Sequence, residues 1–246
     1  MLTAHRGASY EFPENTLLSM AKAIDAGADM IEFDVTYTRD GVPVILHDRT
    51  IDRTSDGRGT PHDFTLAELK KFNFSYWLQD ERRQTPAYGD VTIPTFVEML
   101  DAFHDKANMN IQLHDDVIDE GIISKICALF VEYNMFDHAY LTVGTGQADF
   151  ITGINPDIEL CVTPPMPKRS LPENILMCKE KYRCRFIQPV REYTGQAEFA
   201  YMRELGLRGN VFYTDDAEEM KTLRRLGATG TMTNKIHLLC SSKDAE

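Results

Sequence analysis

Basic residues are scarce in this chain: 26 Lys and Arg stand against 38 Asp and Glu, for a net charge of −12. Nucleic-acid affinity comes from neutralising phosphates with Lys and Arg, so this balance argues against a nucleic-acid partner. An acidic protein that handles a phosphate must gather positive charge locally, from a cation, an arginine or a protonated histidine. Long apolar runs are missing too. No stretch approaches the ~20 residues of a membrane-spanning helix, so no integral membrane segment is expected. Cys127, Cys161, Cys178, Cys184 and Cys240 are odd in number, scattered, and form no CxxC pair. They read as buried reduced thiols rather than a disulfide framework or zinc site. Residues 1–5 enter a strand at once and leave no room for a signal peptide. The reading is cytoplasmic as written; a leader already removed would leave no trace, so a periplasmic or secreted destination stays open. Nothing in the sequence bears on oligomeric state.

What is present is ordinary globular material, 43% hydrophobic and 26% charged over 246 residues, and one α/β barrel commonly takes about 250 residues. Strand-like runs lie at 2–5, 30–35, 43–47, 109–113, 139–143, 158–162, 185–188, 210–213 and 229–233. Helical patterns at 16–26, 95–103, 120–133, 197–205 and 217–226 alternate with them. That alternation predicts βα units, with a closed eightfold barrel favoured over an open doubly wound sheet. The nine runs exceed the eight a barrel needs, and the Asp40-Gly41 turn leaves no room for a helix between the second and third. Thr95 and Glu98 form a capping box, and Gly27 and Gly206 sit where left-handed caps belong. The expected organisation is a single domain over 1–240, an excursion on its upper face at about 48–93, and a frayed tail at 241–246.

Four polar features fall at the ends of strand-like runs, where TIM barrels place their active sites. They are His5-Arg6-Gly7, Glu32-Phe33-Asp34, His47-Asp48, and Gln112-Leu113-His114 with Asp115 and Asp116 after it. Glu32 and Asp34 are two apart, so both side chains leave the strand on one face. Aimed inward they repel unless a hard cation such as Mg²⁺ or Ca²⁺ lies between them; an exposed strand face explains the same pattern. His5 and His47 are each structural on their own. As a pair at one mouth they suit a reaction that takes a proton from a nucleophile and returns one to a leaving alkoxide. Arg6 offers a fork for phosphate oxygens, or a salt bridge to a mouth carboxylate. In Pro13-Glu14-Asn15-Thr16 the proline and asparagine stop the loop and cap a helix, or Glu14 or Asn15 faces the site.

These motifs together resemble the glycerophosphodiester phosphodiesterase family in identity, order and spacing. So do Thr38-x-Asp40-Gly41, Arg53-Thr54, Gly57-x-Gly59 and Ile93-Pro94-Thr95, with a weaker echo at 211–216 and 227–234. The resemblance implies a distorted (β/α)8 TIM barrel of the phospholipase-C-like phosphodiesterase type. It implies metal-assisted hydrolysis of a small-molecule phosphodiester, typically a glycerophosphodiester giving glycerol phosphate and an alcohol. His5 and His47 would be the acid–base pair, Arg6 a phosphate ligand, and Glu32 and Asp34 ligands of a divalent cation, Mg²⁺ or Ca²⁺. In some relatives a substrate hydroxyl attacks first and forms a cyclic phosphate.

The chain departs from the family where Glu-x-Lys, a third metal ligand and a phosphate lysine, becomes Gln112-x-His114. Gln112 can still ligate through its carbonyl oxygen, but without charge. His114 can meet a phosphate oxygen when protonated, and Asp115 or Asp116 could supply a carboxylate or be solvated loop residues. Trp-Thr-Val-Asn in relatives is Phe212-Tyr213-Thr214-Asp215 here, and the final Thr-Asp is Thr233-Asn234. Phe212 and Tyr213 are therefore expected at the substrate, with a different leaving alcohol. Tyr76 and Trp77 either wall the pocket or anchor the excursion. Two other functions stay open: a feeble or non-catalytic binder of phosphorylated ligands, and a sphingomyelinase D-like lyase, for which no interfacial apolar loop is evident.

Overall fold

The strand Met30–Tyr37 carries the pattern that organises the molecule: Ile31, Phe33 and Val35 alternate with Glu32, Asp34 and Thr36, and all six are buried. A strand buried on both faces must have apolar neighbours on one side and a polar interior on the other. The computed structural model, which describes residues 1–78, 81–114, 117–164 and 168–241, meets that demand with a barrel. Its first half runs β1 (Leu2–Ala4), α1 (Leu17–Asp25), β2 (Met30–Tyr37), β3 (Pro43–Ile45), α2 (Leu66–Leu69), β4 (Trp77–Leu78), β5 (Glu81–Arg82) and α3 (Phe96–Phe103). Then come β6 (Asn108–Leu113), α4 (Glu120–Glu132), β7 (Ala139–Val143), α5 (Thr145–Ile154), β8 (Leu160–Val162) and α6 (Pro172–Glu180). The chain finishes with β9 (Phe186–Ile187), α7 (Gln196–Glu204), β10 (Arg208–Val211), α8 (Ala217–Leu226), β11 (Gly230–Thr233) and α9 (Ile236–Cys240).

Eight parallel strands stand in the order β8-β7-β6-β2-β1-β11-β10-β9. β8 and β9 lie side by side without a backbone ladder, so the barrel is nearly closed. The seam is stitched by a side chain instead. Glu159 accepts the Arg185 backbone N–H at 2.6 Å and its Nε–H at 2.7 Å, satisfying an edge that the short β9 cannot pair. Outside, the main core packs Ile31, Phe33 and Val35 with residues of the surrounding helices. Inside, Met30, Tyr140 and Cys161 close the floor with Met1 and Phe186. A polar layer lies among them: Asn210 Nδ2 donates to Thr3 Oγ1 at 3.0 Å and to Tyr140 Oη at 3.2 Å.

The ninth strand-like run is β3, which pairs antiparallel with β2 and lies off the barrel. His47 therefore does not sit at the upper end of a barrel strand, as the strand reading has it. β2 continues to Tyr37 as a hairpin arm, and β3 runs back along it, with Val35 opposite Ile45. The Leu46 N–H then bonds the Asp34 carbonyl at 3.0 Å, so the chain brings His47 down to the level of the carboxylate pair. The excursion rests on its own small core of Val44, Leu46, Ile51, Leu69, Phe74 and Ile93.

The five helical patterns are α1, α3, α4, α7 and α8. α5 and α6 went unread because Gly146 and Gly153 dilute the first and charged or polar residues crowd the second. The Thr95–Glu98 box forms reciprocally, at 2.8 and 3.0 Å. Gly27 and Gly206 take φ of +85° and +70°. The α1 cap needs correction: Thr16, not Asn15, accepts the Ser19 N–H, and Asn15 is left-handed at φ +57°. All five cysteines are free thiols, four of them buried.

Gly7 turns the chain out of β1 at φ +80°, and a Cβ there would come within 2.6–2.8 Å of Ser19. Both the backbone and the contact forbid a side chain, so Gly7→Ala should cost about 2–4 kcal/mol. Urea unfolding should show a lower midpoint at unchanged slope; an unshifted midpoint would refute this reading of the turn.

Candidate active site

The site begins with backbone geometry. The His5 N–H still bonds across to the Thr233 carbonyl at 2.9 Å. Arg6 then enters the left-handed region at φ +55° and aims its N–H at Glu32 Oε2, 2.9 Å away. An L residue there costs on the order of 1 kcal/mol, a strain typical of functional sites. Glu32 and Asp34 are each 1% exposed. Burial, and next the Asp34 charge, push the Glu32 carboxyl well above its usual range. Asn15 grips Asp34 with both ends of its amide: Nδ2 donates to Oδ2 at 2.9 Å, and Oδ1 accepts the Asp34 N–H at 3.3 Å. The Arg6 Nε stands 3.4 Å from Asp34 Oδ2 without hydrogen-bond geometry, so charge alone links them.

Next to this pair, and reached from it through Arg6, opens a cavity of about 440 Å³ whose lining includes His5, Arg6, His47, Arg53, Phe212 and Tyr213 but not Glu32, Asp34 or Gln112. His5 Nδ1 lies 2.7 Å from Asn234 Oδ1, and the ring stacks on Tyr213 with Phe212 edge-on. Burial, reinforced by the Arg6 charge, lowers the His5 pKa to about 4. His47 Nδ1 meets Asp48 Oδ1 at 2.7 Å. Burial would raise the Asp48 carboxyl, but hydrogen bonds from His47 and Arg53 outweigh it and hold the group far below the ordinary carboxylate range. Arg53 is the hub of this side. It donates from Nε to Asp48 at 2.6 Å and from both terminal nitrogens to Glu14 at 2.6 Å, while its plane lies over Trp77. Arg6 also donates to Glu14, at 3.0 Å.

The expected residues thus fall into two sets. His5, Arg6, His47, Phe212 and Tyr213 line the cavity, whereas Asn15 is spent on Asp34 and is not in the lining. Gln112 stands in register with Asp34 on the neighbouring strand. The His114 ring lies edge-on to His47, centroids 6.2 Å apart, outside the lining. Asp115 and Asp116 lie outside the described residues. Trp77 walls the cavity, while Tyr76 stacks on Arg82 instead. Among the described residues, no group of three or more His, Cys, Asp and Glu is arranged to hold a metal.

The sequence profile of the glycerophosphoryl diester phosphodiesterase family matches residues 5–238. The chain belongs to this family. Among curated members, a Bacillus subtilis glycerophosphodiester phosphodiesterase is 35% identical over 137 residues, which are 55% of this chain and 47% of the relative. One from Caldanaerobacter subterraneus is 35% identical over 144 residues, 58% of this chain and 57% of the relative. The matched segment therefore spans about half of each. An uncharacterized Bacillus subtilis protein is 30% identical over 94% of this chain and 93% of its own length. Among solved structures, an Oleispira antarctica phosphodiesterase in complex with the product sn-glycerol-3-phosphate superposes with a TM-score of 0.80. It is 24% identical, covering 99% of this chain and 96% of that one. A glycerophosphodiester phosphodiesterase from Agrobacterium tumefaciens gives 0.78 at 22% identity, with 98% of both chains covered. These likenesses establish the barrel fold.

Set against the family pattern, the sequence reading missed Arg53 as a hub, although Arg53-Thr54 is among the matching motifs. It also missed that Asp215 and Asn234, two of the positions that differ from the family pattern, stand behind His5. No sequence spacing links positions 5, 215 and 234; closure of the barrel does.

Glu14 quantifies the hub. Burial opposes its charge, but hydrogen bonds from Arg53 and the charges of both arginines lower its pKa to about 2. A depressed carboxylate adds stability that is present above the unfolded value of 4.5 and lost as pH falls toward 2. Glu14→Gln should therefore cost roughly 2–3 kcal/mol at pH 7, with the gap from wild type closing below about pH 4. Urea titrations across pH would contradict this if the gap were constant.

Proposed function

We propose that this protein hydrolyses a glycerophosphodiester to glycerol phosphate and an alcohol, using His5 and His47 as the acid–base pair beside a divalent cation. The observation that carries the reading is that both imidazoles face one cavity, each with Nδ1 committed to its own polar partner, while Arg6 in the same lining contacts a buried carboxylate pair. A mere binder of phosphorylated ligands has no use for two rings so oriented.

The residues present fit a hard cation. The donors are all oxygen, and Arg6 and Asn15 engage only Glu32 Oε2 and Asp34 Oδ2. With Oε2 and Oδ2 taken by those donors, Glu32 Oε1 and Asp34 Oδ1 would hold the cation, with Gln112 as a neutral third donor. When bound, Mg²⁺ or Ca²⁺ would polarise a phosphoryl oxygen and offset charge that builds up on it.

His5, neutral through burial, accepts the proton of the attacking oxygen at Nε2. His47, with Nδ1–H directed at the ionised Asp48, delivers a proton from Nε2 to the alcohol oxygen as the P–O bond breaks. Arg6 presents a fixed positive charge to the non-bridging oxygens. Phe212 and Tyr213 hold the His5 ring and form an apolar wall for the alcohol.

Glycerol phosphate should be released from glycerophosphocholine, glycerophosphoethanolamine or glycerophosphoinositol, and EDTA should abolish the release. No turnover of any diester with Mg²⁺, Ca²⁺ or Mn²⁺ would reject the function. His5→Ala and His47→Ala should each lower kcat by roughly 10²–10⁴-fold. A base must be unprotonated, so with the cation kept saturating at every pH the rate should fall as pH drops through the depressed pKa of His5, about 4. An acid limb centred at the free histidine value of about 6.5 would remove His5 from that role.

A further inference from the structure

Behind His5 lies a chain of polar groups that the scheme above does not use. Asn234, the residue after β11, turns Oδ1 to His5 Nδ1 at 2.7 Å and Nδ2 to Asp215 Oδ2 at 2.8 Å. The other oxygen of Asp215 accepts the Asn234 backbone N–H and the Thr233 hydroxyl, both at 2.8 Å. The Ser9 hydroxyl reaches the His5 carbonyl at 2.7 Å and Asn234 Oδ1 at 3.1 Å.

The protons in this chain follow from one fact: an ionised carboxylate only accepts. The Asn234 atom facing Asp215 is therefore the amide nitrogen, and the atom facing His5 is the carbonyl oxygen. That oxygen cannot donate, so His5 must carry its proton on Nδ1, which leaves the Nε2 lone pair for the cavity. We propose that Asp215, acting through Asn234, is a positioning residue that fixes His5 in its Nδ1–H tautomer and keeps Nε2 ready to accept a proton. The tautomer matters to the rate only on the acid–base reading of His5, and the inference rests on that reading to this extent.

Two features favour a lock over incidental packing. Asp215 follows β10 and Asn234 follows β11, so the contact is made between adjacent barrel strands close to the cavity and not within one loop. Phe212 edge-on and Tyr213 in a stack, with centroids 5.4 and 5.6 Å away, also resist a ring flip that would exchange the two nitrogens. The linking group is a neutral amide, so the Asp215 charge orients the ring from one residue further back than a direct His–carboxylate pair would. Such a relay orients the base without the strong pull toward imidazolium that an adjacent carboxylate exerts.

The test reads the tautomer of the intact chain with ¹⁵N-labelled histidine and long-range proton–nitrogen spectra near neutral pH, His5 being assigned with His5→Gln. Wild type should show Nδ1 protonated and Nε2 bare. Asp215→Asn lets either end of the Asn234 amide face the ring, so tautomers should mix and kcat should fall about 10-fold or more, with KM within about twofold. The double substitution Asp215→Asn/Asn234→Asp moves the carboxylate next to His5. It should restore Nδ1–H, recover most of kcat and move the acid limb of the rate profile to higher pH. A packing role would not be rescued by this exchange. The lock is overturned by Nε2–H in wild type, by a folded Asp215→Asn variant that keeps both tautomer and kcat, or by a folded double variant no better than the single one. Should Asp215→Asn not fold, the wild-type spectrum and the double variant decide. The tautomer is read without substrate. A correct tautomer with no diester turnover would reject the proposed function and leave the lock standing.

Discussion

Two carboxylates on one face of one strand set the terms for everything above them. Glu32 and Asp34 are buried side by side on β2, where their repulsion must be met by positive charge or hydrogen-bond donors. Part of the answer is built into the chain. Arg6 gives up ordinary backbone geometry to point its N–H at Glu32, and Asn15 does the same to hold Asp34 at both amide ends. These two left-handed residues bracket the β1–α1 connection, so the loop that carries His5 and Arg6 takes its shape from the carboxylates beneath it.

The two histidines reach the cavity by unlike routes and are held by unlike partners. His5 stands just past the end of β1, buried and tied to an amide that Asp215 orients. His47 arrives on a return strand outside the barrel and is tied to an Asp48 that Arg53 keeps ionised. One ring is tied to a neutral amide and the other to a charged carboxylate. On the proposed acid–base reading, that difference suits one ring to accept a proton and the other to donate one. Arg53 also joins Asp48 to Glu14, and so couples the excursion to the β1–α1 loop.

Much of this is legible in the sequence. The alternation of Glu32 and Asp34 with apolar residues fixed their common face, and the joint spacing of His5, Arg6, His47 and the Asp40-Gly41 turn pointed to one mouth. Local signals such as the Thr95–Glu98 box and the Gly27 and Gly206 caps were read directly, because they depend on neighbours within four residues. What escaped the reading depends on distance through the barrel. Asn15 looked like a cap or a ligand contact, and only its place beside β2 shows that Asp34 takes its amide. Asn234 looked like a change in substrate contact until closure of β11 against β1 set it on His5. β3 looked like a barrel strand because alternation does not reveal direction. Gln112, in register with Asp34 on the neighbouring strand, adds no charge to the carboxylate pair.

The central claim is that the Glu32–Asp34 pair is a cation site. Calorimetric titration with Mg²⁺ or Ca²⁺ near pH 6.5, repeated in buffers of different ionisation enthalpy, addresses it directly. The account predicts one bound equivalent, with protons released as the cation displaces them from the raised Glu32 carboxyl, and loss of binding in Glu32→Gln. Absence of binding in wild type, or equal binding in Glu32→Gln, would contradict it.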